Sequence, residues 1–190
     1  REQDLWELRA CAPPQSLPFS DMDQPGFENR VVEVLAEEMG AYVTYEWVDF
    51  TQDLYNLFFA EGLCDVILGI PDGFSRGLNT LTYYSSPYVV AYRADAGFEI
   101  DSLDDPDLRS LRIGVHGAGT PPHTALLYRN LLQNITRLYG GSAGADDRLA
   151  VMIKALEAGE IDVGFGWGPS TAYWARQADT DIVVKPIEPQ

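Results

Sequence analysis

Residues 160–174 read EIDVGFGWGPSTAYW. An apolar, strand-like run from Ile161 stops at Gly-Trp-Gly-Pro and is followed at once by a helix-forming segment. A strand handed to a helix across a tight turn is the βα step of an α/β protein. The turn at its carboxyl end is where such a protein ordinarily offers a small polar group to a ligand. Here that turn carries Trp167, so the stretch that announces the fold also raises the question of function.

Outward from it, the same alternation continues. Upstream, DDRLAVMIKALEAG (146–159) reads as a helix ended by Gly159, and downstream DIVVKPI (181–187) reads as a strand. Further back stand SLRIGVHG (110–117) as a strand, then TPPHTALLYRNLLQN (120–134) as a helix with Thr120 as N-cap and prolines in its first turn, then ITRLYG (135–140) as a strand. The first half follows the same scheme. LWELRACA (5–12) is a strand, PPQSLPFSDMDQPG (13–26) a proline-rich loop, and GFENRVVEVLAEEMG (26–40) a helix with Val31, Val32, Leu35, Ala36 and Met39 on one stripe and Gly40 as its stop. YVTYEWV (42–48) is a strand, TQDLYNLFFAEG (51–62) a short helix capped by Thr51, and CDVILGI (64–70) an apolar strand.

A βαβαβ order predicts a parallel sheet with right-handed crossovers. SPYVVAYRAD (86–95) is a crossing segment that reads as an extended strand leaving the first unit. The expected architecture is α/β and two-lobed, with parallel-dominated sheets flanked by helices. Lobe 1 spans 1–91, lobe 2 spans 92–185, and 186–190 begins a return crossover to lobe 1. A cleft is expected between the carboxyl ends of the two sheets.

Composition narrows the function classes. With 190 residues, 46% of them hydrophobic, the chain can bury a real core. No apolar run approaches the roughly 18 residues of a membrane span, and the Arg-Glu-Gln-Asp start is not a signal segment. The net charge of −16, from 29 acidic and 13 basic residues, argues against nucleic acid and anionic membranes. It leaves two readings, attraction of a basic protein partner or simple solubility. Cys11 and Cys64 form neither a CxxC nor a Cys/His cluster. On strands that neighbour in a parallel sheet they would form one structural disulfide in an oxidising compartment such as the periplasm; two buried thiols are the alternative.

Several segments, in this order and over nearly the whole chain, resemble the type 2 periplasmic binding protein fold: LRACAPPQSLPFS, GFENRVVEVLAEEMG, GLCDVILGIPDG, TYYSSPYVVAYR, LRIGV and GEIDVGFGWGPSTAYWAR. CAPPQSLPFSD, GLCDVILGIP, SLDDPDLRSLRIGV, GAGTPPHTALLYR and VGFGWGPSTAYWAR more closely resemble the MxaJ/XoxJ family. The resemblance implies a periplasmic, non-enzymatic accessory protein that binds, and helps mature or activate, a quinoprotein (PQQ-dependent) methanol dehydrogenase of the calcium or lanthanide type. It implies no cofactor, catalytic residue or metal in this chain. The alternative is a solute-binding component of an ABC importer for a small polar or aromatic ligand. The family also implies a return into lobe 1 and a further helix beyond the VVKPIEP reached here.

Candidate contact residues follow from the same comparison. Amino-acid-binding members of the fold usually carry an Asp at the turn occupied by Trp167, and tryptophan gives a ligand ammonium no counter-ion. The carboxylate clamp of those members would fall in PDGFSRGLN (71–79), with Asp72 and Arg76, but its threonines are out of register. His116 and Thr120 flank a glycine-rich turn into a helix, where an anion or carbonyl oxygen would meet backbone N–H groups. Phe19 and Tyr84 belong to an aromatic set, with Tyr83, Tyr88, Tyr92, Phe165, Tyr173 and Trp174, that would form core, cleft wall or a docking patch.

Neither His116 nor His123 has a carboxylate or cysteine at a recognised ligand spacing, and no acid/base pair is visible for the dehydratase chemistry some members of the fold perform. The acidic SDMDQ and DSLDDPDL miss the EF-hand pattern, and the second resembles a linker and helix cap.

Overall fold

The computed structural model describes residues 6–48, 62–75, 77–138 and 147–187. The chain divides into two compact units, Arg1–Tyr84 and Ser85–Gln190. The sequence reading changes lobe at 91, whereas this division falls before the strand that would be cut there. The helix expected over 51–62 lies outside the described residues except for its last residue, Gly62.

The first unit runs β1 (Trp6–Ala12), β2 (Gln15–Ser16), β3 (Ser20–Asp21), α1 (Phe27–Met39), β4 (Ala41–Trp47) and β5 (Val66–Ile67). β1 lies between β4 and β5 and is parallel to both, with Trp6 opposite Ala41 and Ala10 opposite Val66. Of the apolar run CDVILGI only Val66 and Ile67 are strand. Alternation along β1 divides its side chains by face. Leu8, Ala10 and Ala12 pack with Val32 and Ala36 of α1, while Cys11 turns the other way and is bonded to Cys64, with Val48 and Ile67 packed against the pair.

α1 begins where the loop before it supplies partners for its free N–H groups. The Phe27 and Glu28 amides donate to the carbonyls of Pro18 and Phe19, and Asn29 Oδ1 accepts from the Gly26 amide at 2.8 Å. A side chain at Gly26 would place Cβ only 2.1 Å from the Phe19 carbonyl oxygen, so glycine is required there by close approach. Gly40, at φ 66°, ends the helix in the left-handed region. Its buried ridge is Glu28, Asn29, Val32 and Ala36. Val31, Leu35 and Met39, which periodicity puts with Val32 and Ala36, are instead exposed, because the helix is rotated to lay its smaller side chains on the alanines of β1.

The second unit runs β6 (Tyr88–Arg93), β7 (Ile113–Val115), α2 (Pro121–Tyr128), α3 (Asp147–Glu157), β8 (Val163–Trp167), α4 (Gly168–Ala175) and β9 (Ile182–Pro186). The strand order is β7-β8-β6-β9. β7 and β8 are parallel, and β6 is antiparallel to both β8 and β9. The segment read as a crossing is therefore an interior strand. Val90 and Tyr92 of β6 face a core containing Ile100, Leu108, Ile113, Leu126 and Phe165, and Ala91 faces Leu149, Met152, Ile153, Leu156 and Ile161.

Glycines in β7 and β8 set the distance of α3 from the sheet. A Cβ on Gly114 would meet Ile161 at 2.4 Å, and one on Gly164 would meet the Met152 sulfur at 2.9 Å. α2 is shorter than the periodicity suggests. It stops at Tyr128, Asn130 takes φ 58°, and a 3-10 turn over Leu132–Asn134 follows. The expected strand ITRLYG is reduced, over its described part, to a single bridge from Ile135 to Ile113.

The two units share one device. The Asp65 carboxylate, just ahead of β5, accepts both the backbone amide of Arg9 (2.9 Å) and its guanidinium (2.9 Å from Nη2). Asp162, just ahead of β8, does the same for Arg112, at 2.7 Å and 2.6 Å. Each guanidinium holds its partner's carboxyl below the usual carboxylate range, chiefly through the side-chain hydrogen bond.

Candidate functional site

Each unit gathers aromatic side chains near the carboxyl ends of its parallel strands. In the first unit, the loop after β1 turns at Ser16–Phe19, where the Phe19 amide donates to the Ser16 carbonyl at 2.7 Å. That turn aims Phe19 at Phe27, the first residue of α1, with ring centroids 5.3 Å apart and edge-on. Tyr84 completes the group, 5.2 Å from Phe27 and 6.1 Å from Phe19. Edge-to-face packing of this kind fixes ring orientation beyond what burial alone does. The structure thus brings together two of the expected contact residues, Phe19 and Tyr84, and adds Phe27.

Beside this cluster lies a buried carboxylate that the sequence reading missed. Glu28, in the first turn of α1, is buried and accepts a 2.6 Å hydrogen bond from the Tyr83 hydroxyl. Burial first, then the hydrogen bond to Glu28 and after it the Glu28 charge, push the Tyr83 phenol well above its ordinary range, so it stays a donor. Gly69, at φ 71°, keeps the third side open, since a Cβ there would come within 3.2 Å of a Glu28 oxygen. The readable signal was an acid in the first helical turn directly after Gly-Phe. Asp72, by contrast, is an exposed loop residue, and Arg76 lies outside the described residues.

In the second unit, the parallel register Val115 to Phe165 brings His116 and Trp167 to the same sheet edge. Antiparallel pairing sets Tyr88 directly opposite Trp167, and the two rings meet edge-on at 5.1 Å. Burial pushes the Tyr88 phenol up. Trp167 ends β8 and is the residue before α4. Its successor Gly168 has no room for a side chain, because a Cβ would lie 2.6 Å from Ser86 Oγ and 2.8 Å from the Pro87 carbonyl oxygen. The tryptophan is therefore held at the turn by its neighbour's close packing as well as by Tyr88. What it presents is an aromatic surface and an indole N–H, with no charge.

The glycine-rich turn into α2 differs from expectation. Thr120 occupies the N-cap position, but its hydroxyl donates to the Gly117 carbonyl at 2.9 Å and caps nothing. Pro121 and Pro122 have no N–H, and the Gly119 amide is taken by His123 Nδ1 at 3.3 Å. An anion would find few backbone donors there. The acidic segments also have local uses. Asp21 Oδ1 accepts from the amides of Asp23 and Gln24, and Asp105 caps the 3-10 turn over Pro106–Arg109 through the Asp107 amide. Among the described residues, no three His, Cys, Asp or Glu come together as a metal site, and no helix is long and apolar enough to cross a membrane.

No protein-family model matches the chain. Individual proteins do. Protein MoxJ of Paracoccus denitrificans is 38% identical over 186 residues, covering 92% of this chain and 67% of that protein. Protein MoxJ of Methylorubrum extorquens is 30% identical over 196 residues, covering 97% and 64%. The chain thus spans about two thirds of the length of these relatives. Among solved structures, the periplasmic binding protein XoxJ from Methylobacterium extorquens AM1 superposes with a TM-score of 0.75 at 32% identity, over 96% of this chain and 78% of that one. MxaJ from Methlophaga aminisulfidivorans MPT gives 0.79 at 24% identity, over 95% and 77%. The α/β architecture is that of the type 2 periplasmic binding proteins.

Proposed function

The chain belongs to the MxaJ/XoxJ family, and on that premise we propose that it is a periplasmic, non-enzymatic accessory protein that binds and helps mature or activate a quinoprotein methanol dehydrogenase. The observation that carries this reading over amino-acid transport is Trp167, packed edge-on against Tyr88 at the end of β8. A ligand ammonium at that turn meets rings in place of a carboxylate, and cation–π attraction replaces only part of an ion pair. The disulfide between Cys11 and Cys64 fits an oxidising compartment, and the net charge of −16 favours a partner with a basic surface.

Co-purification from native periplasm at low salt, with mass spectrometry of what stays bound, tests the proposal. Low salt preserves electrostatic attraction. A quinoprotein dehydrogenase in the eluate is the expected result. A lone protein carrying a small metabolite would overturn it.

That second outcome would favour solute binding, which the aromatic groups around Phe19 and Trp167 also suit. Under that reading a thermal-shift screen finds one metabolite that stabilises the protein by several degrees, and Trp167→Ala removes the shift.

A further inference from the structure

α1 carries two apolar faces, and among the described residues of the first unit only one is packed. Val32 and Ala36 are buried on the sheet. Val31, Val34, Leu35 and Met39, at i, i+3, i+4 and i+8, form a second stripe that is 40%, 59%, 40% and 47% exposed. Trp6 extends it past the helix end. Its indole N–H donates to the Met39 carbonyl at 3.2 Å, which ties down the ring while leaving it 44% exposed. α3 in the second unit shows the contrast, since its Leu149, Met152, Ile153 and Leu156 are all buried, with Trp174 and Ala175 of α4 packed against the same cluster.

The charges around the stripe have a direction. Glu33 is paired with Arg30 at 2.8 Å, but Glu37 and Glu38 are exposed in the last turn of α1, which holds no basic residue. Carboxylates at a helix carboxyl terminus face the negative end of the dipole. Their placement is unfavourable for the isolated helix and favourable once cations approach from outside.

We propose that this face of α1, with Trp6, docks a partner protein whose contact surface is an apolar depression rimmed by lysine or arginine, the partner being the dehydrogenase of the functional reading on which this inference rests. Trp6 is of the residue type that most often anchors such interfaces. Val34, Leu35 and Met39 fill the apolar centre, and Glu37 and Glu38 meet the basic rim, which steers encounter and fixes orientation.

The test measures binding of the full chain to purified quinoprotein methanol dehydrogenase across a salt series. Val34→Asp with Leu35→Asp weakens binding at least tenfold. Glu37→Lys with Glu38→Lys weakens it at low salt and flattens the salt dependence. Tyr128→Asp, on the 80% exposed Tyr128 in the other unit, leaves binding unchanged. Circular dichroism checks that each variant folds, and a photo-crosslinking residue at position 34 in the otherwise unchanged protein joins it to the dehydrogenase whether or not they do. Wild-type binding that survives both α1 variants, without a crosslink from position 34, overturns the docking face and leaves the functional reading standing. Self-association of the chain that the α1 variants abolish makes a second copy the occupant and equally overturns it. No binding by the wild type defeats the functional reading itself, and the docking face falls with it.

Discussion

Replacing both Cys11 and Cys64 with alanine tests what holds β1 and β5 together. The two cysteines are 53 residues apart. Cross-linking a loop of that length removes roughly 14 cal/mol/K of entropy from the unfolded chain, or about 4 kcal/mol at 25 °C. In the native state both sulfurs are buried against Val48 and Ile67, so the alanines also lose packing, and the loop term is a lower bound on the expected loss. With a urea slope of about 2 kcal/mol/M, the midpoint falls by roughly 2 M.

Tryptophan fluorescence can place the effect. Trp6 and Trp47 lie in the first unit, Trp167 and Trp174 in the second, and Tyr45 stacked on Trp47 at 4.7 Å makes the first pair sensitive to local order. A variant with Trp167→Phe and Trp174→Phe follows the first unit alone. The same shift should appear when the unaltered protein is unfolded, reduced and refolded under reducing conditions. A destabilisation below about 1 kcal/mol by either route would refute the loop-closure reasoning.

Gly26→Ala should cost on the order of 3 kcal/mol by urea denaturation, because its Cβ would lie 2.1 Å from the Phe19 carbonyl oxygen, a backbone atom that cannot step aside. Tyr83→Phe removes the hydroxyl that donates to buried Glu28 and should lower stability by about 1–3 kcal/mol, whereas Tyr42→Phe, on an exposed residue, should change it by less than about 0.5 kcal/mol. Asp162→Asn should destabilise at neutral pH by on the order of 1 kcal/mol. Arg112 depresses the carboxyl's folded pKa, so the stabilisation exists above the ordinary carboxylate value of about 4 and is lost as pH falls through the folded value. Urea midpoints of wild type and variant should therefore converge in acid, and a gap that stays constant down to pH 2 would contradict the pairing.

Legibility followed the nature of each signal. The run Ile161–Trp167 reads correctly as a strand because three buried positions and two glycines leave it no helical face, and β8 and α4 fall where expected. The cysteine pair is readable as a disulfide because Cys11 lies on β1 and Cys64 two residues ahead of β5, the strand that pairs with β1 in parallel. Periodicity at α1 gave the helix but not its rotation, since the apolar residues cover more arc than one sheet contact can bury. β6 reads from the sequence as an extended strand, as it is, but its place inside the second sheet does not, because an antiparallel interior strand and an extended crossing have the same apolar pattern; only pairing with β8 and β9 distinguishes them. At the candidate site, Phe19, Tyr84 and Trp167 stand out by residue type and position relative to strand ends, and the structure packs the first two against Phe27 and the third against Tyr88. Glu28 does not stand out, nor does its pairing with Tyr83, which the sequence offers only as one of the aromatic set, because the partnership joins residues 55 apart. Thr120 is the N-cap of α2 as the sequence implies, but the sequence cannot say which carbonyl its hydroxyl will find, and it donates to that of Gly117.

The Arg9–Asp65 and Arg112–Asp162 clamps sit where β5 and β8 begin, while Phe19, Tyr88 and Trp167 gather where parallel strands end. Each sheet therefore has an anchored margin and a working margin. Stagger between neighbouring strands is settled at the first, by forked charge pairs that never enter the second. Residues at the working margin can therefore be exchanged without disturbing the alignment that presents them. One scaffold can in this way change what it presents without changing how it is aligned.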